Sequence, residues 1–219
     1  MRIGILGAGN VGSALGKRWA DAGHEVSFGV RQPESHSRTL KDGGALPANA
    51  RMVSPADAVR GADVVVLATP WGAAEDALRS AGADQGALDG VPLLDATNPL
   101  KAGMALDIGP NGESGAERIQ SLVPRARVVK VFNTTGAENM RDPVYDRAAT
   151  VMFYAGNDAA AKKLAAELAS ALGFDAVDAG TLVQARLLEN LAALWISLAY
   201  GAVGAAPLGR NMAFRLVKR

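Results

Sequence analysis

Apolar and polar positions along this chain alternate in blocks that indicate strands followed by helices. Short apolar runs predict strands at residues 1–6, 25–30, 64–68, 93–96, 127–132, 151–155 and 174–177. Between several of these runs, apolar residues recur at helical spacing, as in 11–22, 71–80 and 158–172. Strands that alternate with helices predict an α/β fold, doubly wound around a mainly parallel sheet.

The alternation continues to the end of the chain, with a polar loop after the predicted strand at 127–132. We place a soft boundary at Thr135. Residues 1–135 are predicted to form a larger, doubly wound domain, and residues 136–219 a smaller α/β and helical part.

A glycine-rich turn follows the first predicted strand and opens the first predicted helix. Its sequence, Gly7-Ala8-Gly9-Asn10-Val11-Gly12, matches G-x-G-x-x-G in the strand–turn–helix context that the motif requires. Gly7 permits the tight turn, Gly9 lets the backbone approach a pyrophosphate, and Gly12 lets the helix pack on the strand. The amides around Asn10 and Val11 then face the phosphates. The motif predicts a bound nicotinamide dinucleotide, and residues 1–135 are therefore predicted to form a Rossmann-type NAD(P)-binding domain.

The end of the second predicted strand favours NADP over NAD. An acidic residue usually accepts hydrogen bonds there from the ribose 2′-hydroxyl of NAD. This chain has Arg31 instead, nineteen residues after Gly12, where a guanidinium can pair with a 2′-phosphate. Ser35, His36 and Arg38 follow in the same loop and could add donors.

Polar or turn-forming residues follow three later strands. Open α/β sheets bind ligands at the carboxyl ends of their strands. We therefore predict that Ala68, Thr69 and Pro70, together with Asn98 and Pro99, contact the cofactor. Asn133 and Thr134 are predicted to bind the second substrate.

Composition and charge exclude several other classes of protein. Lys plus Arg number 23 and Asp plus Glu number 22, a balance unlike that of a general nucleic-acid or anionic-membrane binder. Cysteine is absent and only two histidines are present, so we predict no metal site. Lys101 and Lys130 are the only lysines near strand ends that could donate a proton, and neither has a partner visible in the sequence. We therefore predict no catalytic side chain.

Four segments together resemble the NADP oxidoreductases that depend on the deazaflavin coenzyme F420. They are the opening through Gly12, the Gly23 to Arg31 segment, Leu94 to Leu100 and Val129 to Thr134; the ending from Ala185 through Trp195 to Leu216 is also similar to bacterial members of this group. The same module resembles the cytosolic reductase domain of STEAP metalloreductases. Val30 and Ser35 depart from the family pattern, which often has Ser and a basic residue there.

The resemblance implies direct hydride transfer between NADP(H) and a deazaflavin or flavin ring, with catalysis mainly by positioning. It also implies a homodimer with the C-terminal helices in its interface. Two alternatives are an NADPH-dependent reductase of a small carbonyl or imine substrate, and a non-catalytic NADP-binding sensor.

The predicted helix at 184–200 carries more apolar residues than one core-facing stripe needs. Uncharged residues extend from 191 to 208, but Gly201, Gly204 and Pro207 interrupt them, which favours a buried helix over a membrane span. We predict that a second subunit covers this helix and that Trp195 lies near the second-substrate pocket. Residues 136–219 are thus predicted to complete the substrate pocket and the dimer interface. No secretory signal is visible, so the expected location is the cytoplasm.

Overall fold

Strands and helices alternate along the chain, and a computed structural model describes them for residues 1–35, 39–41, 44–201 and 206–219. The strands are β1 (Arg2–Leu6), β2 (Glu25–Gly29), β3 (Ala50–Val53), β4 (Val64–Leu67), β5 (Pro92–Asp95), β6 (Arg127–Lys130), β7 (Val144–Tyr145), β8 (Ala148–Ala149), β9 (Val151–Gly156) and β10 (Asp175–Asp178). The α-helices are α1 (Asn10–Asp21), α2 (Pro55–Val59), α3 (Ala74–Ser80), α4 (Gly115–Leu122), α5 (Ala137–Arg141), α6 (Ala159–Ala171) and α7 (Ala185–Tyr200).

Eight of these strands form one sheet in the order β10-β9-β6-β5-β4-β1-β2-β3. The strands β1 to β6 pair in parallel and have the order of a Rossmann fold, with the change of direction between β1 and β4. Strand β9 runs antiparallel to β6, and β10 is parallel to β9. The predicted α/β, doubly wound, mainly parallel architecture is confirmed.

Helices cover both faces of the sheet, which explains why its central strands are apolar throughout. In β4, Val64 and Val66 belong to one core, whereas Val65 and Leu67 belong to the other. The first core contains residues of α1, α5 and α6, and the second contains residues of α2, α3 and α4. This division follows from the two-residue period of a strand.

Local signals in the sequence set several helix boundaries. The Ser54 side chain accepts a hydrogen bond from the Asp57 amide at the start of α2, and Asp158 accepts one from the Ala161 amide at the start of α6. Gly23 and Gly173 follow helices with φ of 90° and 101°, in the left-handed region that favours glycine. These predicted caps and helix ends are confirmed.

Five of these elements were not predicted from the sequence: β3, β7, β8, α4 and α5. Strand β3 is a short edge strand with no fully buried residue, so its apolar pattern is weak. Helix α4 begins with a reciprocal capping box between Ser114 and Glu117. The Ser-x-x-Glu spacing was visible in the sequence and could have located this helix.

The residues after Thr135 extend the same sheet. Beyond α7, the chain folds back over the molecule: the Val151 amide donates to the Phe214 carbonyl, and the Asn139 side chain donates to the Met212 carbonyl. The division at residue 135 remains a prediction.

Candidate functional site

The glycine-rich turn has the geometry that a phosphate-binding turn needs. Gly7 has a φ of 108°, and a Cβ added to it would lie 2.8 Å from the Ala68 carbonyl oxygen. A Cβ on Gly12 would collide with the Gly7 carbonyl oxygen, whereas a Cβ on Gly9 would meet no atom within 4 Å. Gly7 and Gly12 therefore permit the turn and the close packing, as predicted. Gly9 leaves open space on the side where a ligand would approach.

The start of α1 is open to an anion. Gly9 precedes the helix, and no side chain caps it. The first amides of the helix, those of Asn10 and Val11, come before the first intrahelical bond, in which the Ser13 amide donates to the Gly9 carbonyl. Free amides and the helix dipole suit a phosphate group at this position.

A pocket of about 460 Å³ extends from this turn to the end of β2 and to α3. It is lined by Gly7, Ala8, Gly9, Gly29, Val30, Arg31, Gln32, Pro55, Ala68, Thr69, Pro70, Ala73, Asp76, Ala77 and Ser80. The pocket thus brings together six of the predicted cofactor-binding residues from three separate segments of the chain. It lies where the strand order changes direction, the usual ligand position in open α/β sheets.

Two of these predicted residues have unsatisfied polar groups. Arg31 is exposed and makes no ion pair or side-chain hydrogen bond to another residue that the structure describes. The Thr69 Oγ1 atom is buried and has no hydrogen-bond partner in the described part of the chain. A free guanidinium and an orphaned hydroxyl both suit a ligand that carries phosphate and hydroxyl groups. The residues present therefore fit an NADP-type dinucleotide.

The other hydrogen-bond donors that were predicted after β2 are Ser35, His36 and Arg38. The Ser35 hydroxyl donates to the Gln32 carbonyl at 3.0 Å, and Ser35 does not line the pocket. Arg38 and His36 lie outside the described residues. The roles predicted for Ser35 and Arg38 stay predictions.

The carboxyl ends of β5 and β6 are joined by a pair of asparagines. The Asn98 Nδ2 donates to the Asn133 carbonyl at 2.9 Å, and the Asn133 Nδ2 donates to the Asn98 Oδ1 at 3.1 Å and to the Leu188 carbonyl of α7. Asn133 is 3% exposed, and its Oδ1 has no partner among the described atoms. The structure thus brings a predicted cofactor residue and a predicted substrate residue into contact. Pro99 and Thr134, the residues that follow the two asparagines in the sequence, are also buried.

The residue before Asn133 has an unusual backbone. Phe132 has a φ of 62°, which costs energy for a bulky side chain. Its buried ring packs edge-on against Trp19, with the ring centroids 5.5 Å apart. Packing therefore holds a strained turn that sets the position of Asn133.

A buried lysine lies below this asparagine pair. The Lys130 ammonium has no exposed surface and bonds to Asp95 at 3.0 Å, to Glu189 of α7 at 2.9 Å and to the Thr97 carbonyl at 2.7 Å. Burial alone would lower the pKa of Lys130, but the two carboxylates outweigh burial and raise the pKa above its ordinary value. The expectation that Lys130 has no partner is wrong. Lys130 is a charged cross-link between strands and helix.

Both carboxylates of this network accept additional hydrogen bonds. The Glu189 oxygens accept from the amides of Gly115 and Ala116 at the start of α4, and Asp95 accepts from the amide and hydroxyl of Thr97. The network therefore connects β5, β6, α4 and α7.

A second ionic cluster fixes the loop after β5. Asp107 accepts from the Trp71 Nε1 at 3.0 Å and the Arg118 guanidinium at 2.9 Å, and pairs with Lys101 at 3.0 Å. These donors hold the pKa of the Asp107 carboxyl well below its usual range. Arg118 also lies over the Trp71 ring, 4.8 Å from its centroid. Lys101 thus has a partner that the sequence did not reveal, and it is tethered to this loop.

Trp195 lies on the buried side of α7. Its Nε1 donates to the Met212 carbonyl at 2.9 Å, and a Cβ on Gly136 would lie 2.6 Å from its ring. The ring is therefore next to the loop that follows Asn133 and Thr134, beneath the C-terminal segment. A contact with the second substrate stays a prediction.

Two further properties bear on the class of protein. The segment Leu182–Tyr200 is long and apolar enough to cross a membrane, by length and composition alone. Within the described ranges, no group of three or more histidine or acidic side chains could hold a metal ion.

Comparison with known proteins identifies the family. The family model described as NADP oxidoreductase coenzyme F420-dependent matches residues 2–99. The F420-dependent NADP reductase of Methanothermobacter thermautotrophicus is 33% identical over 210 residues, and the match covers 90% of this chain and 89% of that protein. The chain belongs to the family of F420-dependent NADP oxidoreductases. The protein is accordingly an oxidoreductase, since its family consists of NADP oxidoreductases.

Two other proteins are similar to this chain, one in its fold and sequence and the other in its sequence. A solved structure from Arthrobacter sp. FB24, provisionally assigned as an F420-dependent NADP reductase, has 36% identity and a TM-score of 0.85 over 100% of both chains. The rat metalloreductase STEAP3 is 31% identical over 190 residues. The match covers 87% of this chain but 36% of STEAP3, so the chain spans about a third of that relative.

Proposed function

We propose that this chain transfers hydride directly between NADP(H) and a deazaflavin such as coenzyme F420, or a flavin. The observation that carries the proposal is the pocket between the glycine turn and Arg31, whose guanidinium has no partner among the described residues and could bind a 2′-phosphate. NADPH, when bound, supplies the hydride from its nicotinamide ring. Membership of the family supports the choice of acceptor.

In this proposal Gly9, Asn10 and Val11 bind the pyrophosphate through backbone groups, and Gly7 and Gly12 hold the turn. Arg31, with Ser35 and Arg38, binds the 2′-phosphate. Ala68, Thr69 and Pro70, with Asn98 and Pro99, line the path of the dinucleotide from β4 to β5. Asn133, Thr134 and Trp195 bound the site of the acceptor ring.

The described side chains near the strand ends support chemistry without a dedicated acid or base. Lys130 is fully buried and held by two carboxylates, and Lys101 is tethered to Asp107. Hydride transfer between two stacked rings needs orientation and closeness more than proton transfer. We therefore propose that the protein acts by positioning the two rings and that no side chain acts as an acid or a base.

At the scale of the whole protein, we propose a cytoplasmic homodimer that acts on small molecules, without nucleic acid or membrane. Residues 1–135 would bind the cofactor, and residues 136–219 would complete the acceptor pocket and the interface. The exposed apolar residues of α7, described below, support the dimer.

The proposal is tested by rapid mixing of the NADPH-loaded protein with deazaflavin, flavin, carbonyl and imine acceptors. We expect turnover with a deazaflavin or flavin, and a Lys101→Ala variant should keep most of it. Turnover restricted to carbonyls or imines would assign the chain to the reductases of those compounds, and NADPH binding without any turnover would assign it to sensors. A loss of about four decades in Lys101→Ala, the scale of a missing general acid, would contradict direct hydride transfer.

A further inference from the structure

Helix α3 and the turn before it form one wall of the cofactor pocket. Ala73, Asp76, Ala77 and Ser80 all line it. Their spacing of three and four residues puts them on one face of a helix. The wall faces the segment that carries Val30 and Arg31 at the end of β2. In the dinucleotide orientation of this fold, the ribose that bears the 2′-phosphate would lie at that strand end, which would put the attached base within reach of α3 on the same pocket.

The wall combines an apolar surface with two polar side chains. Ala73 and Ala77 provide small apolar contacts of the kind that suit a flat ring, and Pro55 and Val30 lie elsewhere on the pocket lining. Asp76 and Ser80 are four residues apart and exposed, so both can reach a bound ring from the rim.

Asp76 has no partner within the described part of the chain. The neighbouring Glu75 is paired with Arg79 on the outer side of α3, so the two adjacent acids of this helix have different surroundings. An ionised carboxylate only accepts hydrogen bonds, and a serine hydroxyl both donates and accepts. A carboxylate in the pocket of an anionic dinucleotide favours a ligand group that donates.

We propose that Asp76 and Ser80 make the site specific for adenine. The exocyclic amino group of adenine donates to Asp76, and the ring nitrogen beside it accepts from the Ser80 hydroxyl. Hypoxanthine has an oxygen in place of the amino group, so it presents an acceptor to the Asp76 carboxylate, which can only accept. The nitrogen beside that oxygen is protonated in hypoxanthine, so it cannot accept from the Ser80 hydroxyl. This inference rests on the proposed NADP cofactor and adds the residues that recognise its base.

The test compares dissociation constants of NADPH and its hypoxanthine analogue on the full chain, by fluorescence titration. The wild-type protein should bind NADPH about tenfold more tightly, the scale of one hydrogen bond to a charged group. In Asp76→Asn the ratio should fall to about one, because an asparagine amide can donate to hypoxanthine and accept from adenine. Ser80→Ala should lower the ratio to a smaller extent. The matched control, Glu75→Gln, should keep the wild-type ratio.

The outcomes distinguish this inference from the proposed function. A wild-type protein that binds both dinucleotides equally, or an Asp76→Asn variant that keeps the wild-type ratio, would overturn the adenine assignment and leave the NADP cofactor standing. A protein that binds neither dinucleotide would overturn both. A change in the ratio of NADPH to NADH affinity in Asp76→Asn, with the hypoxanthine ratio unchanged, would show that Asp76 contacts the ribose instead.

Discussion

At the scale of single residues, Arg31 is exposed, lines the same pocket as the glycine turn and makes no ion pair within the described part of the chain. Arg31→Ala should weaken NADP binding by about 1.5–3 kcal/mol, because charge-assisted hydrogen bonds to the 2′-phosphate are lost. NAD binding should change little. Titration calorimetry with both cofactors measures the difference.

Arg79→Ala is a matched control for Arg31, since Arg79 pairs with Glu75 and does not line the pocket. Equal losses of NADP and NAD affinity in Arg31→Ala would contradict recognition of the 2′-phosphate.

Phe132 shows how a single residue can connect the core to the site. Its left-handed backbone is unfavourable for a large side chain, yet its ring is fully buried against Trp19. Burial of the ring can offset this strain, since a buried aromatic side chain contributes about 1.5–3 kcal/mol. The turn into Asn133 is therefore maintained by packing rather than by local preference.

At the scale of elements, the Lys130 network links β5, β6, α4 and α7. Lys130→Met should lower the free energy of unfolding by about 3–5 kcal/mol, because Asp95 and Glu189 would be left buried without a counter-charge. Adding Glu189→Gln should recover part of the loss, since a glutamine can still accept from the α4 amides. Denaturant unfolding at neutral pH measures both effects.

The free energy of unfolding should depend on pH because the pKa of Lys130 is raised in the folded protein. Its stabilising contribution is complete below the ordinary lysine value of 10.5 and is lost as the pH rises through the higher folded value. Lys163→Met is the control, because Lys163 pairs with Glu167 on the exposed surface, where ion pairs contribute little. A Lys130→Met protein as stable as that control would contradict the assigned role.

At the scale of the whole molecule, α7 and the turn before it carry an exposed apolar surface. Val183, Leu187 and Leu194 are 52%, 66% and 50% exposed, and their spacing puts them on one side of the helix. Leu188 and Trp195, which lie further around the helix, are buried in the subunit. A second copy that covers the exposed side would form the predicted dimer.

Leu187→Glu and Leu194→Glu should therefore each shift the protein from twice the 22.5 kDa chain mass to the single mass. Light scattering in buffer without detergent measures the change. The control Val217→Glu, on an exposed residue of the C-terminal segment, should leave the mass unchanged. A wild-type protein of single mass at micromolar concentration would contradict the dimer, and a requirement for detergent would favour a membrane role for the helix.

Features that depend on local geometry could be predicted from the sequence alone. The turn at Gly7 and Gly12 needs residues without a Cβ, and the caps at Ser54 and Asp158 act within three residues of themselves. Strands such as β4 are apolar on both faces wherever they occur in a covered parallel sheet. Such signals extend over a few neighbouring residues and can be recognised without the fold.

The pairing of charged and polar groups between distant segments became known from the folded structure and could not be predicted from the sequence. Lys130 and Asp95 are separated by 35 residues, and Glu189 reaches the same ammonium from a helix near the end of the chain. The same holds for Asn98 with Asn133 and for Asp107 with Trp71. A side chain's spacing along the sequence does not specify which group it will meet when it is buried. That choice depends on the order of the strands and the faces that the helices cover, because a buried charge is stable only beside a partner that the fold brings within hydrogen-bond distance.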